Sequence, residues 1–429
     1  MLNLVDLKKE NIIAIGIDCG FGDVKIAING TNYKFPSYII PFSDGSSLNF
    51  LGGNSDENSS LDTIIYRENV NNRSTVSYLI GTQAQTLINN DKEGKYTDFV
   101  EKSKDLHTFF TENDASIFLI RAALSYAIVR YSFDNSIGFK LENLRDYRIF
   151  VELAFPHVVT EKAFNSLSGP LSMNTELNLQ INNNSYTMEL RIPKEYIKGS
   201  SQVLDVFYSY AYSDKKLSKN ELVKNFKKTI SSLPAIVCDG GYRSQGVSRI
   251  FFSNGFMVSD SKSYEEYSMI EVNEKIAAII NDLALKQEPI DFTPIHEYDI
   301  SRFINDNLDF TFNVYADNAV GKKRKRITSA EISKIHDEVL QETAKDYCNF
   351  LINDYGIDNA RTILVAGGTG TAFFDIISEY MNNYSDGEVE VLLCESTYDD
   401  RKISPVFAIV MGAYKHLLMQ IEEILSHEE

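Results

Sequence analysis

The chain has 429 residues, 43% apolar and 24% charged, too many for one ordinary core and typical of a globular protein with two domains. Its net charge of −18 opposes broad binding to DNA or to an anionic membrane, since both need a basic surface. Four scattered cysteines without a CxxC spacing and six histidines without an HExxH pattern argue against a structural metal, and the cysteines read as reduced cytosolic thiols.

The N-terminal stretch MLNLVDLKKE is amphipathic and lacks the apolar centre of a signal peptide. No apolar run approaches the ~20 residues of a membrane span, so the expectation is a soluble cytoplasmic protein. Residues 11–30 read as two strands joined by a glycine-rich turn, followed by an extended segment that Pro36 closes. Residues 42–62 read as a flexible surface loop, and TVSYLIGTQAQTLI as strand, glycine and helix start. A long helix is predicted from Thr111 to about Phe133 with Thr111 as its N-cap. The segment 146–156 is a buried strand closed by Pro156, with a helix after it. LNLQINNNSYTMELRIP forms a hairpin with an asparagine-rich turn. Residues 214–232 read as a Lys-rich amphipathic helix, and PAIVCDGGYRSQGVSRIFFSNGF as a second strand–turn–strand unit. Helices follow over 263–287 and 327–356, then a strand, a glycine turn and a helix in ARTILVAGGTGTAFFDIISEYM. The C-terminal helix carries Ala408 and Gly412 on one face.

The strand–turn–strand unit occurs twice, with Asp18-Cys19-Gly20 and Asp239-Gly240-Gly241 where each first strand ends. An α/β fold of two related domains facing a cleft is the expectation from this duplication. A turn of this kind is by default only a turn. Its glycines nevertheless let backbone N–H groups approach phosphate oxygens. A lysine can neutralise phosphate charge, and a carboxylate can hold a hydrated Mg2+. Asp18, Gly20, Gly22 and Lys25 supply one such set, and Asp239, Gly241 and Ser244 the other. Gly367, Gly368 and Thr369 lie between a strand and a helix N-terminus, a position suited to an anion or an adenine edge. No GxxxxGK[ST] loop is present.

In this order, IGIDCGFGDVKIAING, YLIGTQA, LAFP, VCDGGYRSQGV, VAGGTG and PVFAIVMGAYK resemble the motifs of the actin/chaperone/sugar-kinase ATPase superfamily, and within it the bacterial actin-like ParM (StbA) plasmid-segregation group. The resemblance covers nearly the whole chain. It departs at Gly246, where relatives often have Asp, at Ser244 for Thr, and at Ile409 for Asn. It implies an actin-like fold with domain I over 1–155 plus 405–429 and domain II over 156–404. The nucleotide, ATP or alternatively GTP with Mg2+, would contact Asp18, Gly20, Phe21, Gly22, Asp23, Lys25, Asp239, Gly240, Gly241, Tyr242, Arg243, Ser244, Gly367, Gly368 and Thr369, with Asp18 and Asp239 facing the metal.

It further implies a filament of the chain itself whose assembly is coupled to hydrolysis, moving plasmids through a DNA-binding adaptor of ParR type without direct DNA or membrane contact. Glu161 is the candidate for positioning the hydrolytic water, with Glu152 second; a solvated first-turn acid is the alternative reading of Glu161. The run GKKRKR over 321–326 reads as a solvated loop, or as a filament contact or docking patch for an acidic partner. A small-molecule kinase and a non-hydrolysing nucleotide-binding scaffold remain as alternative functions.

Overall fold

A computed structural model of the chain describes residues 4–42, 63–70, 74–89, 96, 98, 100, 106–112, 115–135, 139–212, 230–253, 255–315, 322–357, 359–398 and 401–428. The loop expected over 42–62 and the Lys-rich helix expected over 214–232 fall almost wholly outside these residues. The chain forms two compact units, Met1–Ser231 with Phe256–Val258 and Cys394–Glu429, and Ser232–Gly255 with Ser259–Leu393.

The first unit begins with α1 (Leu4–Lys9), β1 (Ile12–Cys19), β2 (Asp23–Ile28), β3 (Thr31–Pro36) and β4 (Ile39–Pro41). It continues through β5 (Ile64–Val70), β6 (Ser74–Ile80), α2 (Thr82–Asn89), α3 (Leu106–Glu112) and α4 (Ala115–Asp134). Then come β7 (Arg148–Phe155), α5 (Thr160–Leu171), β8 (Thr175–Ile181), β9 (Asn184–Leu190), β10 (Ile197–Ser201) and α6 (Gln202–Ala211). One sheet has the order β10-β7-β1-β2-β3, the other β4-β6-β5-β8-β9. Strand alternation divides β1 between two cores: Ile13, Ile15 and Ile17 join the one that contains α4, while Ile12 and Ala14 join the other. Each fully buried isoleucine contributes about 1.5–3 kcal/mol relative to exposure.

Two expectations change here. The first unit runs to Ser231 rather than ending at 155, because β10 pairs in parallel with β7 and completes the sheet. Thr111 lies inside α3, and the long helix starts at Ala115. By length and composition α4 could cross a membrane. Most of its side chains are instead buried in the unit, and its Arg121 pairs with buried Glu68.

The second unit holds β11 (Ala235–Gly240), β12 (Gln245–Phe252), all but the first three residues of β13 (Phe256–Tyr264), α7 (Met269–Leu285), β14 (Pro289–Asp291), α8 (Glu297–Asn305), β15 (Phe310–Tyr315), β16 (Lys322–Ile327), α9 (Ser329–Phe350), β17 (Thr362–Ala366), α10 (Gly367–Tyr384) and β18 (Glu390–Leu393). Its main sheet has the order β13-β12-β11-β17-β18. Thr328 and Glu331 form a capping box at α9, which fixes where that helix begins. The basic run is not a loop: Lys322 to Arg326 lie in β16, paired with β15.

The last helix, α11 (Ala408–Glu428), belongs to the first unit. The duplication seen in the sequence is topological. Each main sheet joins three antiparallel strands, β1-β2-β3 or β11-β12-β13, to two parallel ones, β7-β10 or β17-β18.

Candidate functional site

In the first unit the β1–β2 register sets Asp18 opposite Lys25. Cross-strand partners point to the same face, and Lys25 Nζ lies 3.6 Å from Asp18 Oδ2. The parallel β1–β7 and β7–β10 registers add Glu152 and Ser200 to that face, because Gly16 pairs with Glu152, and Ala154 pairs with both Asp18 and Ser200.

Asp18 is 1% exposed. Burial pushes its carboxyl up from the ordinary value, while Lys25 and Gln202 pull it back. Gln202 Nε2 donates to Asp18 Oδ1 at 2.8 Å. Gln202 is the first residue of α6, and sequence reasoning missed it. Its segment SSQVLDVFYSYA carries no motif, and only the β10–α6 junction brings it to Asp18.

The turn itself is closed by Gly20 N–H donating to the Asp23 carbonyl at 3.2 Å. Gly20 therefore spends its amide within the turn, and Asp23 pairs with Lys34 at 3.1 Å. Phe21 packs against the apolar core. The backbone of the apex, Phe21 and Gly22, is the part of the turn suited to phosphate.

Glu161 is exposed in the first turn of α5. It lines a recess of about 970 Å3 with His157, Lys198, Tyr208 and His416. Glu152, the second candidate, is fully buried, and its Oε1 lies 2.6 Å from His416 Nδ1. Burial raises the Glu152 carboxyl despite that contact. Burial alone would lower His416, but Glu152 outweighs it and holds the imidazole above 6.5. Asp205 on α6 is pushed well up by burial and by Glu152, and accepts from Ser200 Oγ at 2.6 Å.

Glu152 and His416 thus both bind protons more tightly folded than unfolded. The stability His416 contributes is fully present below 6.5 and lost as pH rises through its folded value. The buried Glu152 carboxyl changes stability in the same direction. The urea midpoint of the chain should therefore fall from about pH 6 to about pH 8, and His416→Gln should flatten that fall. A midpoint that rises over this range would contradict the pairing.

In the second unit the register sets Gly246 opposite Asp239, so this hairpin has no counterpart of Lys25 at that position. Gly241 N–H donates to the Ser244 carbonyl at 2.8 Å, again closing the turn. Tyr242 is tied to α7 through its carbonyl, which accepts from Ile270 N–H at 2.8 Å. The turn interlocks with the start of α10. Gly240 bridges Gly367 in parallel, and Thr369 Oγ1 donates to the Gly241 carbonyl at 2.6 Å. Gly367 adopts φ +80°, and a Cβ there would lie 2.2 Å from the Gly240 carbonyl oxygen and 3.0 Å from Asp239 Oδ1. Only glycine fits such an approach. The structure thus brings Asp239, Gly240, Gly241, Gly367 and Thr369 together, while Gly368 has open space beside it. Arg243 and Ser244 complete the apex of this turn.

No family model and no curated protein matches the sequence. Solved structures do match. A ParM from Clostridium botulinum, in a 15-stranded filament, has a TM-score of 0.57 at 15% identity, covering 95% of this chain and 99% of its own. A ParM from Bacillus thuringiensis with ATP has a TM-score of 0.53 at 12% identity, over 96% and 99%. The archaeal actin homologue Ta0583 has a TM-score of 0.56 at 14% identity, over 95% and 100%. The chain has the actin-like fold, and its likeness to solved structures of ParM-type actin-like proteins extends over nearly its whole length.

Proposed function

We propose that the chain binds ATP with Mg2+, hydrolyses it, and assembles into filaments in the nucleotide-bound form. The observation that carries this reading is the buried Asp18 carboxylate, held between Lys25 and Gln202 at the mouth of a glycine turn. A buried carboxylate whose neighbours offset its desolvation only in part is costly. A bound cation would offset that cost, and Mg2+ uses only one or two carboxylates while keeping several waters. Asp18, with Asp239 at the equivalent place in the second unit, fits this requirement. The metal would neutralise phosphate charge.

The rest is done by the chain. The apex backbone of a glycine turn of this kind donates to phosphate oxygens, Lys25 balances their charge, and Gln202 orients the attacking water. A carboxamide can both donate to and accept from water while the same side chain stays anchored on Asp18. The start of α10, with Gly367 and Thr369, faces the adenosine. GTP is the alternative nucleotide.

The filament would move plasmid DNA in the bacterial cytoplasm through a DNA-binding adaptor of ParR type. An adaptor suits a chain of net charge −18, which does not attract DNA itself. The similarity in fold to a ParM in a 15-stranded filament and to a ParM with ATP supports this reading.

The test is phosphate release and sedimentation with ATP. Gln202→Ala should slow turnover about 100-fold while nucleotide still binds, leaving longer-lived filaments. Glu161→Ala should turn over at close to the wild-type rate. If Glu161→Ala is the slow variant and Gln202→Ala is not, the water belongs to Glu161. Absence of phosphate release from the wild type would leave a non-hydrolysing scaffold. Turnover only with an added small-molecule acceptor would mark a kinase.

A further inference from the structure

The basic run lies on an exposed sheet face. β16 is an edge strand of the small sheet β14-β15-β16. In its register with β15, Lys322 faces Tyr315, Arg324 faces Asn313 and Arg326 faces Thr311. These six residues share the outer face. Phe310, Phe312 and Val314 point the other way, into a core shared with Val272, Ile276 and Ile280 of α7. On the outer face Tyr315 is 71% exposed. Arg326 reaches Asp309 at 3.1 Å, and Arg324 donates to the neutral Thr311. Single charges on an edge strand suffice to prevent strand pairing. Three cations on one face of the strand exceed that need.

A complement exists on the same unit. α7 buries Val272, Ile276 and Ile280 toward the shared core, so its outer face points away from the outer face of the sheet. Glu265, Glu271, Glu274 and Glu297 gather at the N-terminal end of α7; burial and then the repulsion of the other three raise the Glu274 carboxyl against the pull of Arg243, and Glu271 pairs with Lys275 at 3.5 Å. Ile279 and Leu283 are exposed farther along this helix, 39% and 40%.

We propose that the outer face of β15–β16 docks onto the carboxylate cluster beside α7 in a second copy of this chain. The inference rests on the filament reading above and names a contact within it. Charge decides the partner. The five cations leave −23 on the rest of a chain of net −18. Such a chain repels nucleic acid overall, yet presents to its own copies both halves of a complementary contact. The two halves are different surfaces on opposite sides of one core. The contact is therefore heterologous and adds copies in one direction instead of closing a dimer.

The experiment is ATP-dependent sedimentation of two charge-reversed variants, alone and mixed. Lys322→Glu with Arg324→Glu removes two outer-face cations and leaves Arg326 with Asp309. Glu271→Lys with Glu274→Lys reverses the complement. Each variant alone should need at least about a tenfold higher concentration to sediment, because like charges then meet across the contact. An equimolar mixture should sediment near the wild-type concentration, since each variant then offers what the other lacks. A cooperative thermal melt, measured on each variant, should match that of the wild type and shows that the unit is folded.

A wild type that stays monomeric with ATP overturns the filament reading and this contact with it. A wild type that assembles, beside variants that assemble equally well or a mixture that is not rescued, overturns the contact alone. Retention of duplex DNA by the wild type, lost with Lys322→Glu and Arg324→Glu while sedimentation is unchanged, would assign the strand to nucleic acid instead.

Discussion

Asp18→Asn should lower Mg-ATP affinity by at least about 100-fold while leaving thermal stability unchanged or raised. The two halves of this expectation have one cause. The Asp18 carboxylate is 1% exposed, and burial holds it above its ordinary value. A charge kept in that position costs stability unless a cation offsets it. Lys25 offsets part, from 3.6 Å. The asparagine amide has the same shape, keeps an oxygen to accept from Gln202, and carries no charge to desolvate. It also gives a metal no anion to bind. Asp18→Ala would be a weaker test, because it also leaves Gln202 without its acceptor, while both variants remove the counter-charge of Lys25. Titration calorimetry with ATP and Mg2+, beside a thermal melt, separates the two halves. An Asp18→Asn chain that binds Mg-ATP as the wild type does would remove Asp18 from the site. A chain that neither binds nor melts cooperatively would show that Asp18 is a structural group.

How much of this was legible in the sequence depends on whether a feature is local. Both hairpins could be read, because apolar alternation, an aspartate and close-spaced glycines are neighbours in the chain. The duplication was readable for the same reason, and the strand orders extend it to five strands in each unit. Gln202 could not be read. It reaches Asp18, 184 positions away, only because β10 pairs with β7 and β7 with β1, and a glutamine before an apolar helix has no distinguishing neighbours.

Glu161 stands out in the sequence through its place after Pro156, and the first turn of α5 puts it at the rim of the recess that His157 and His416 also line. The basic run reads as a loop because strand propensity disfavours lysine; pairing with Phe310, Phe312 and Val314 overrides this, since burial of that strand fixes the hairpin and its neighbour follows. The extent of the first unit to Ser231 is hidden in the sequence for a related reason. Nothing local in IKGSS announces a strand that belongs to a sheet begun nearly two hundred residues before it.

Gly412→Val should destabilise the first unit by about 1–3 kcal/mol or more and lower ATP turnover together with it. A Cβ at Gly412 would sit 1.7 Å from the Asp205 carbonyl oxygen and 2.3 Å from its carbon, distances that no rotamer relieves because both atoms are backbone. α11 and α6 must therefore separate. Their other ties are short and specific: Lys415 Nζ donates to the Ser209 carbonyl at 3.2 Å, and the His416 ring stacks on Tyr208 at 4.8 Å. Separation breaks these ties and displaces α6, whose first residue is Gln202.

The loss of turnover should then exceed what the loss of folded protein explains, because the surviving folded chains hold Gln202 away from Asp18. Turnover per folded molecule, with the folded fraction taken from a urea curve, isolates that part. Gly16→Ala approaches the same helix from the other side, where a Cβ would meet the Val410 carbonyl at 2.8 Å. It presses on α11 without touching α6. It should therefore cost stability with a smaller loss of turnover per folded molecule. Equal kinetic losses in the two variants would mean that α6 does not carry the effect, and that the role of Gln202 rests on its contact with Asp18 alone.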